Sequence, residues 1–135
     1  MAGSLSSALD RLATVAQSCE LTYRAGERHM RDRGTAAQVW ACAEQTHELY
    51  RGLCQRLILM GAARGPSPTF PRFAAHVSDS RVVICLLTLE AGLRRSCAHV
   101  ESEVVDDPGL MRELHAAVCA SIHREAWLRT LVDED

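Results

Sequence analysis

Lysine is absent from this chain: all 15 of its basic residues are arginine. That choice matches the codon bias of a GC-rich bacterial genome. Long apolar runs are missing as well. No stretch approaches the roughly 18 residues a membrane helix needs, which excludes a membrane-spanning segment. Aromatic side chains make up only 4% of the sequence, so aliphatic residues must build most of the core. Neither sign of charge dominates, and a formal net charge of −2 argues against nucleic acid or an anionic membrane as a partner. Met1 to Leu9 hold no basic residue and no long apolar run, so a signal peptide is not expected. No P-loop, dinucleotide fingerprint or zinc-finger spacing is present. The six cysteines stand singly, without a C-x-x-C pair. They read as reduced thiols of a cytoplasmic protein rather than a disulfide framework.

What is present is helical periodicity. The 135 residues make one domain, 1–135, long enough to bury a core. A first helix is expected over about 7–33, capped by Ser7 with Asp10 and stopped by Gly34. Its stripe is Leu5, Leu9, Leu12, Ala16, Cys19, Tyr23, Gly26 and Met30. Thr35 with Gln38 reads as the capping box of a second helix, 35–62, with the stripe Ala36, Trp40, Ala43, His47, Tyr50, Cys54 and Leu57. Pro66 prevents continuation. Residues 65–77 carry three prolines and the two phenylalanines and form the one long connection. There Phe70 and Phe73 either tuck against the bundle end or dock a second subunit.

The third helix, 79–105, has the seam Val83, Leu86, Glu90, Leu93, Cys97, Val100 and Val104. Its apolar run Val82–Leu89 competes as a buried strand, but the periodicity continues for further turns. Asp107-Pro108 caps a fourth helix, 108–131, carrying Leu110, Leu114, Val118, Ile122, Trp127, Leu128 and Leu131. The acidic tail 133–135 reads as solvated and frayed. Tight, long and tight connections between helices of about 36 to 42 Å describe an all-α, antiparallel four-helix bundle.

The informative residues are the polar ones on the seams. An unpaired buried carboxylate is costly, so Glu90 needs a metal, a histidine, a proton or an arginine, with Arg24, Arg51 and Arg124 as candidates. Glu44-x-x-His47 puts both side chains on one helix face, the spacing used by di-iron carboxylate bundles. Glu20 lies 14 residues before Gly34 and Glu44 lies 10 after it; Glu90 lies 17 before Asp107 and His123 lies 16 after it. At about 1.5 Å per residue, each pair falls within roughly 6 Å of one level. Glu20, Glu44, His47, Glu90 and His123 therefore form a candidate metal layer. In the bland alternatives, Glu44 and His47 face water and Glu20 only flanks the seam held by Cys19.

The order Glu, Glu-x-x-His, Glu, His resembles the ferritin-like superfamily over most of the chain. Cys19-Glu20-Leu21-Thr22-Tyr23-Arg24, Gly61-Ala62-Ala63, and Leu89-Glu90-Ala91-Gly92 with Cys97 further on are similar to a poorly characterised bacterial branch of four-helix domains of unknown function. The resemblance implies iron or manganese chemistry at that layer, in oxidase, peroxidase or storage roles. One position departs from the pattern: Ala120 stands three residues before His123 where the family has Glu, so the second half-site lacks a carboxylate.

Two further readings stay open. Cys19, Cys54, Cys97 and Cys119 look inward, with Cys97 facing Cys119, and Cys119, His115 and His123 share a row. Thiolates there would suit copper or zinc. A nucleophilic cysteine is disfavoured because helical N–H groups are already bonded and leave no oxyanion hole. The expectation for function is a non-catalytic, stress-related or interaction module, a homodimer with Trp40, Trp127, Phe70 and Phe73 as anchors. The alternative is a metal-binding ferritin-like protein.

Overall fold

A computed structural model describes residues 2–104 and 106–133. Four helices form an all-α bundle: α1 Ala2–His29, α2 Arg33–Leu59, α3 Asp79–Glu103 and α4 Pro108–Asp133. The expected continuation of the third helix to Val105 and the tail at Glu134 and Asp135 fall outside the described residues.

Three caps follow ordinary helix-end chemistry. Ser78 accepts from Arg81 N at the start of α3. Asp107 accepts from Leu110 N, with Pro108 at the first helical position. α2 ends in a Schellman motif: Gly61 takes φ +69°, its N–H bonds Ile58 O, and Ala62 N–H bonds Leu57 O.

Two expected caps are corrected. Helix α1 already begins at Ala2, so Ser7 is interior, and Asp10 instead accepts from Arg64 and from Gly65 N. A Cβ at Gly65 would lie 2.9 Å from the Asp10 carboxylate, so only glycine fits there unless that carboxylate moves. The first turn is made by Asp32, not Gly34. Asp32 caps α2 by accepting from the Thr35 amide and hydroxyl, and Gly34 and Thr35 lie within the helix.

The topology follows from which residues meet. Cys19 lies against Leu89, and a Cβ on Gly26 would touch Val82, so α1 and α3 run antiparallel. The short α1–α2 and α3–α4 turns make two further antiparallel pairs. Helices α2 and α3 are therefore parallel, and residues 60–78 cross the length of the bundle. The connection leaves the start of α1 at Asp10 and reaches its end at His29, whose Nε2 bonds Val77 O at 2.6 Å. Phe73 lies beside the His29 ring and Phe70 under the Arg28 guanidinium, so both aromatics pin the crossover to α1. Arg56 of α2 ties Asp107 and Glu113 of α4.

The α1 and α3 seams are buried as expected, from Leu9 to Met30 and from Val83 to Val100. The other two hold at their ends, with Ala36, Ala43 and Leu57 of α2 and Leu110, Leu114 and Leu128 of α4 buried, but depart from the expected stripe between. In α2, Val39, Cys42, Thr46 and Leu53 are buried while Trp40 is half-exposed. In α4, Ala117, Ser121 and Arg124 face the core while Ile122 is half-exposed. The cause of the departure in α4 is a polar partner in the interior.

Candidate functional site

Glu90 is wholly buried, and its carboxylate accepts four hydrogen bonds. Oε1 takes Ser121 Oγ at 2.7 Å and Arg124 Nη2 at 3.0 Å; Oε2 takes Arg124 Nε at 2.6 Å and Tyr23 OH at 2.5 Å. A carboxylate has about four lone-pair sites, so none is left over. Arg124 places a third donor on Gln45 of α2, and Arg94 bonds Ser121 Oγ and Glu125. One cluster thus joins all four helices.

Its charges reinforce one another. Burial opposes the Arg124 cation, but the hydrogen bonds and charge of Glu90 outweigh it and raise its pKa. Burial, then the charge of Glu90, pushes the Tyr23 phenol up. Among the described residues the one buried side-chain N or O atom without a partner is Gln17 Oε1, which belongs to another side chain.

A second polar cluster sits on the α1–α2 flank. Glu20 Oε1 meets His47 Nδ1 at 3.0 Å, and Arg24 Nε donates to Glu20 Oε2 at 2.9 Å. Arg24 Nη2 also lies 3.5 Å from Glu44 Oε1. Three of the five candidate ligands therefore gather, but the Arg24 guanidinium stands between the two carboxylates and His47 bonds Glu20 alone. The hydrogen bond to Glu20 outweighs burial and raises the Arg24 pKa.

The five residues thus divide. Glu20 and Glu44 flank Arg24 with His47 on Glu20, Glu90 is held by Arg124, and His123 is exposed on α4. No group of three or more His, Cys, Asp or Glu side chains suited to a metal occurs among the described residues. The donor set does not fit a di-iron or di-manganese centre. Glu90 has no free lone pair, the Arg24 guanidinium occupies the space between Glu20 and Glu44, and position 120 is alanine.

The thiols fit metal chemistry no better. Cys19, Cys42 and Cys97 are buried, Cys54 is half-buried, and Cys85 and Cys119 are exposed. The expected Cys97–Cys119 pair is absent because Cys119 points outward. Burial pushes the Cys19 thiol up to about 12 and those of Cys42 and Cys97 up to about 11. Such thiols stay protonated and act as small apolar groups.

Sequence reasoning had Arg124 as one of three candidate partners for Glu90 and Tyr23 as a core residue. It missed Ser121 and Gln45. A search for apolar spacing passes over Ser121; its signal was position, three residues before Arg124 on one face.

No protein-family model, curated protein or solved structure matches this chain. What it does must be read from its own side chains.

Proposed function

We propose that this chain is a non-catalytic, cytoplasmic helical bundle of the ferritin-like kind, in which a buried ion pair stands where metal-binding relatives would carry ligands, and that it acts as an interaction module. The observation that carries this reading is Glu90, whose four acceptor sites are filled by Tyr23, Ser121 and Arg124. A carboxylate saturated by protein donors has no capacity to ligate iron without breaking a buried salt bridge. The single long crossover between two antiparallel pairs supports the ferritin-like assignment. Free cysteines throughout support a reducing compartment.

The partner in this reading is a second copy. Ile58, Leu59 and Met60 are 73%, 87% and 40% exposed at the end of α2, and Trp40 is 50% exposed further along the same helix. A contiguous exposed apolar patch of this kind is a candidate protein–protein contact. Trp127 and Phe73, expected as anchors, pack against the core instead.

Elemental analysis of the purified protein, repeated after Fe(II) addition, tests the metal half. Sub-stoichiometric metal that is the same in wild type and Glu44→Ala supports the reading. Stoichiometric iron or manganese lost in Glu44→Ala ends it. Sedimentation equilibrium tests the other half: a wild-type dimer that becomes a monomer in Leu59→Ser supports it, and a wild-type monomer removes it.

A further inference from the structure

At the end of the bundle where α1 finishes and α3 begins lies an open groove of about 1410 Å³. It shares no residue with either polar cluster. One wall is the last turn of α1 with the residues after it, and the other is the crossover with the first residues of α3. Three guanidiniums line it: Arg28, Arg31 and Arg72. Among the described residues none of the three has a carboxylate within 4.0 Å, as is also true of Arg11, Arg33, Arg81, Arg95 and Arg112, whereas the other seven arginines are paired. A chain of net charge −2 thus keeps uncompensated positive charge in this groove. Asp79 is the single acid of the lining, and it lies 3.7 Å from His29.

The groove also has an apolar half. Phe70 and Phe73 contribute rings, and the Arg28 guanidinium stands 5.3 Å from the Phe70 ring centre. The wall is preformed, because prolines stiffen the crossover and His29 bonds Val77 O. The volume exceeds the roughly 300–1,000 Å³ of ordinary small-molecule pockets. Guanidiniums match carboxylate, sulfonate and phosphate oxygens in pairs, and the start of α3 adds partial positive charge beside them.

We propose that this groove binds a small organic anion that carries a flat apolar group, an aryl carboxylate, sulfonate or phosphate. The anion meets Arg28 and Arg72, and the flat group lies against Phe70. The site stands independently of the oligomeric state and of the metal question.

The probe is 8-anilinonaphthalene-1-sulfonate, followed by its fluorescence, with neutral N-phenyl-1-naphthylamine as the matched apolar control. The expected result is saturable one-site binding of the sulfonate that weakens with added salt. The Arg28→Gln/Arg72→Gln double variant weakens it by roughly tenfold or more and leaves the neutral amine unchanged. Both arginines are exposed, so circular dichroism and melting should match wild type. Phe70→Ala should weaken both probes. Non-saturable sulfonate binding, equal binding to wild type and the double variant, or a neutral amine bound as tightly as the sulfonate overturns the proposal.

Discussion

The two polar clusters of this bundle use the same chemistry at different depths. Around Glu90, two side chains that are 0% and 5% exposed form the ion pair, and every acceptor site is filled. Around Glu20, the carboxylate is 10% exposed but its partners Arg24 and His47 are 26% and 35% exposed, and the geometry is looser. The flank groups are open to solvent, which can complete their hydrogen bonding. At the core no water is within reach, so the protein must supply each donor itself. A buried charge is therefore tolerated only with full satisfaction, while a half-buried one survives with partners at 3.5 Å.

The sharpest way to break that contrast is to remove one core charge. Arg124→Met should destabilise the fold by about 3–5 kcal/mol, because Glu90 would stay buried without its cation. Urea unfolding followed by circular dichroism measures this. Adding Glu90→Gln should restore much of the loss, since an amide still accepts from Tyr23 and carries no charge. An Arg124→Met variant within about 1 kcal/mol of wild type would show that the pair contributes little.

Alkaline pH tests the same dryness without a mutation. Cys19, Cys42 and Cys97 border the core, and burial lifts their folded-state values from 9.0 to about 12, 11 and 11. Below pH 9 each thiol is protonated in both states and the stability is intact. Above it the unfolded chain ionises first, so stability falls as pH rises towards 11. The loss should be about 1.4 kcal/mol per thiol at pH 10, which lies one pH unit above the unfolded-state value and below all three folded-state values. Urea midpoints at pH 8 and 10 read it, and replacing the three cysteines by alanine should flatten the slope. A slope that survives the replacement would assign the loss to other groups.

How much of this was legible in the sequence follows from helix geometry. Counting residues from the turns put Glu90 at the right level, because a rise of about 1.5 Å per residue forgives a small miscount. Rotation is less forgiving, since one residue turns the side chain by about 100°. His123 and Arg124 share a level, yet one is exposed and the other faces Glu90. The α3 seam was readable because Glu90 alone interrupts its apolar spacing. The α4 seam was not, because Ser121 and Arg124 are polar and Ile122 drew the stripe outward. The α2 phase slipped for the same reason, with Trp40 preferred over Val39. Asp32 was overlooked as a cap because a glycine two residues later looked like the stop.

The flank predicts the smallest effects, and they rank by exposure. Glu20→Gln should cost about 1 kcal/mol, since it weakens contacts to both Arg24 and His47 at a mostly buried position. Glu44→Gln should cost about 0.3 kcal/mol or less, because Glu44 is 41% exposed and its one partner is 3.5 Å away. Salt should erode the second effect more than the first, since solvent ions screen exposed charges best. Paired melting curves at low and high salt separate them. If Glu44→Gln proved as damaging as Glu20→Gln, depth would not be what sets the strength of these pairs, and the contrast with Glu90 would need another cause.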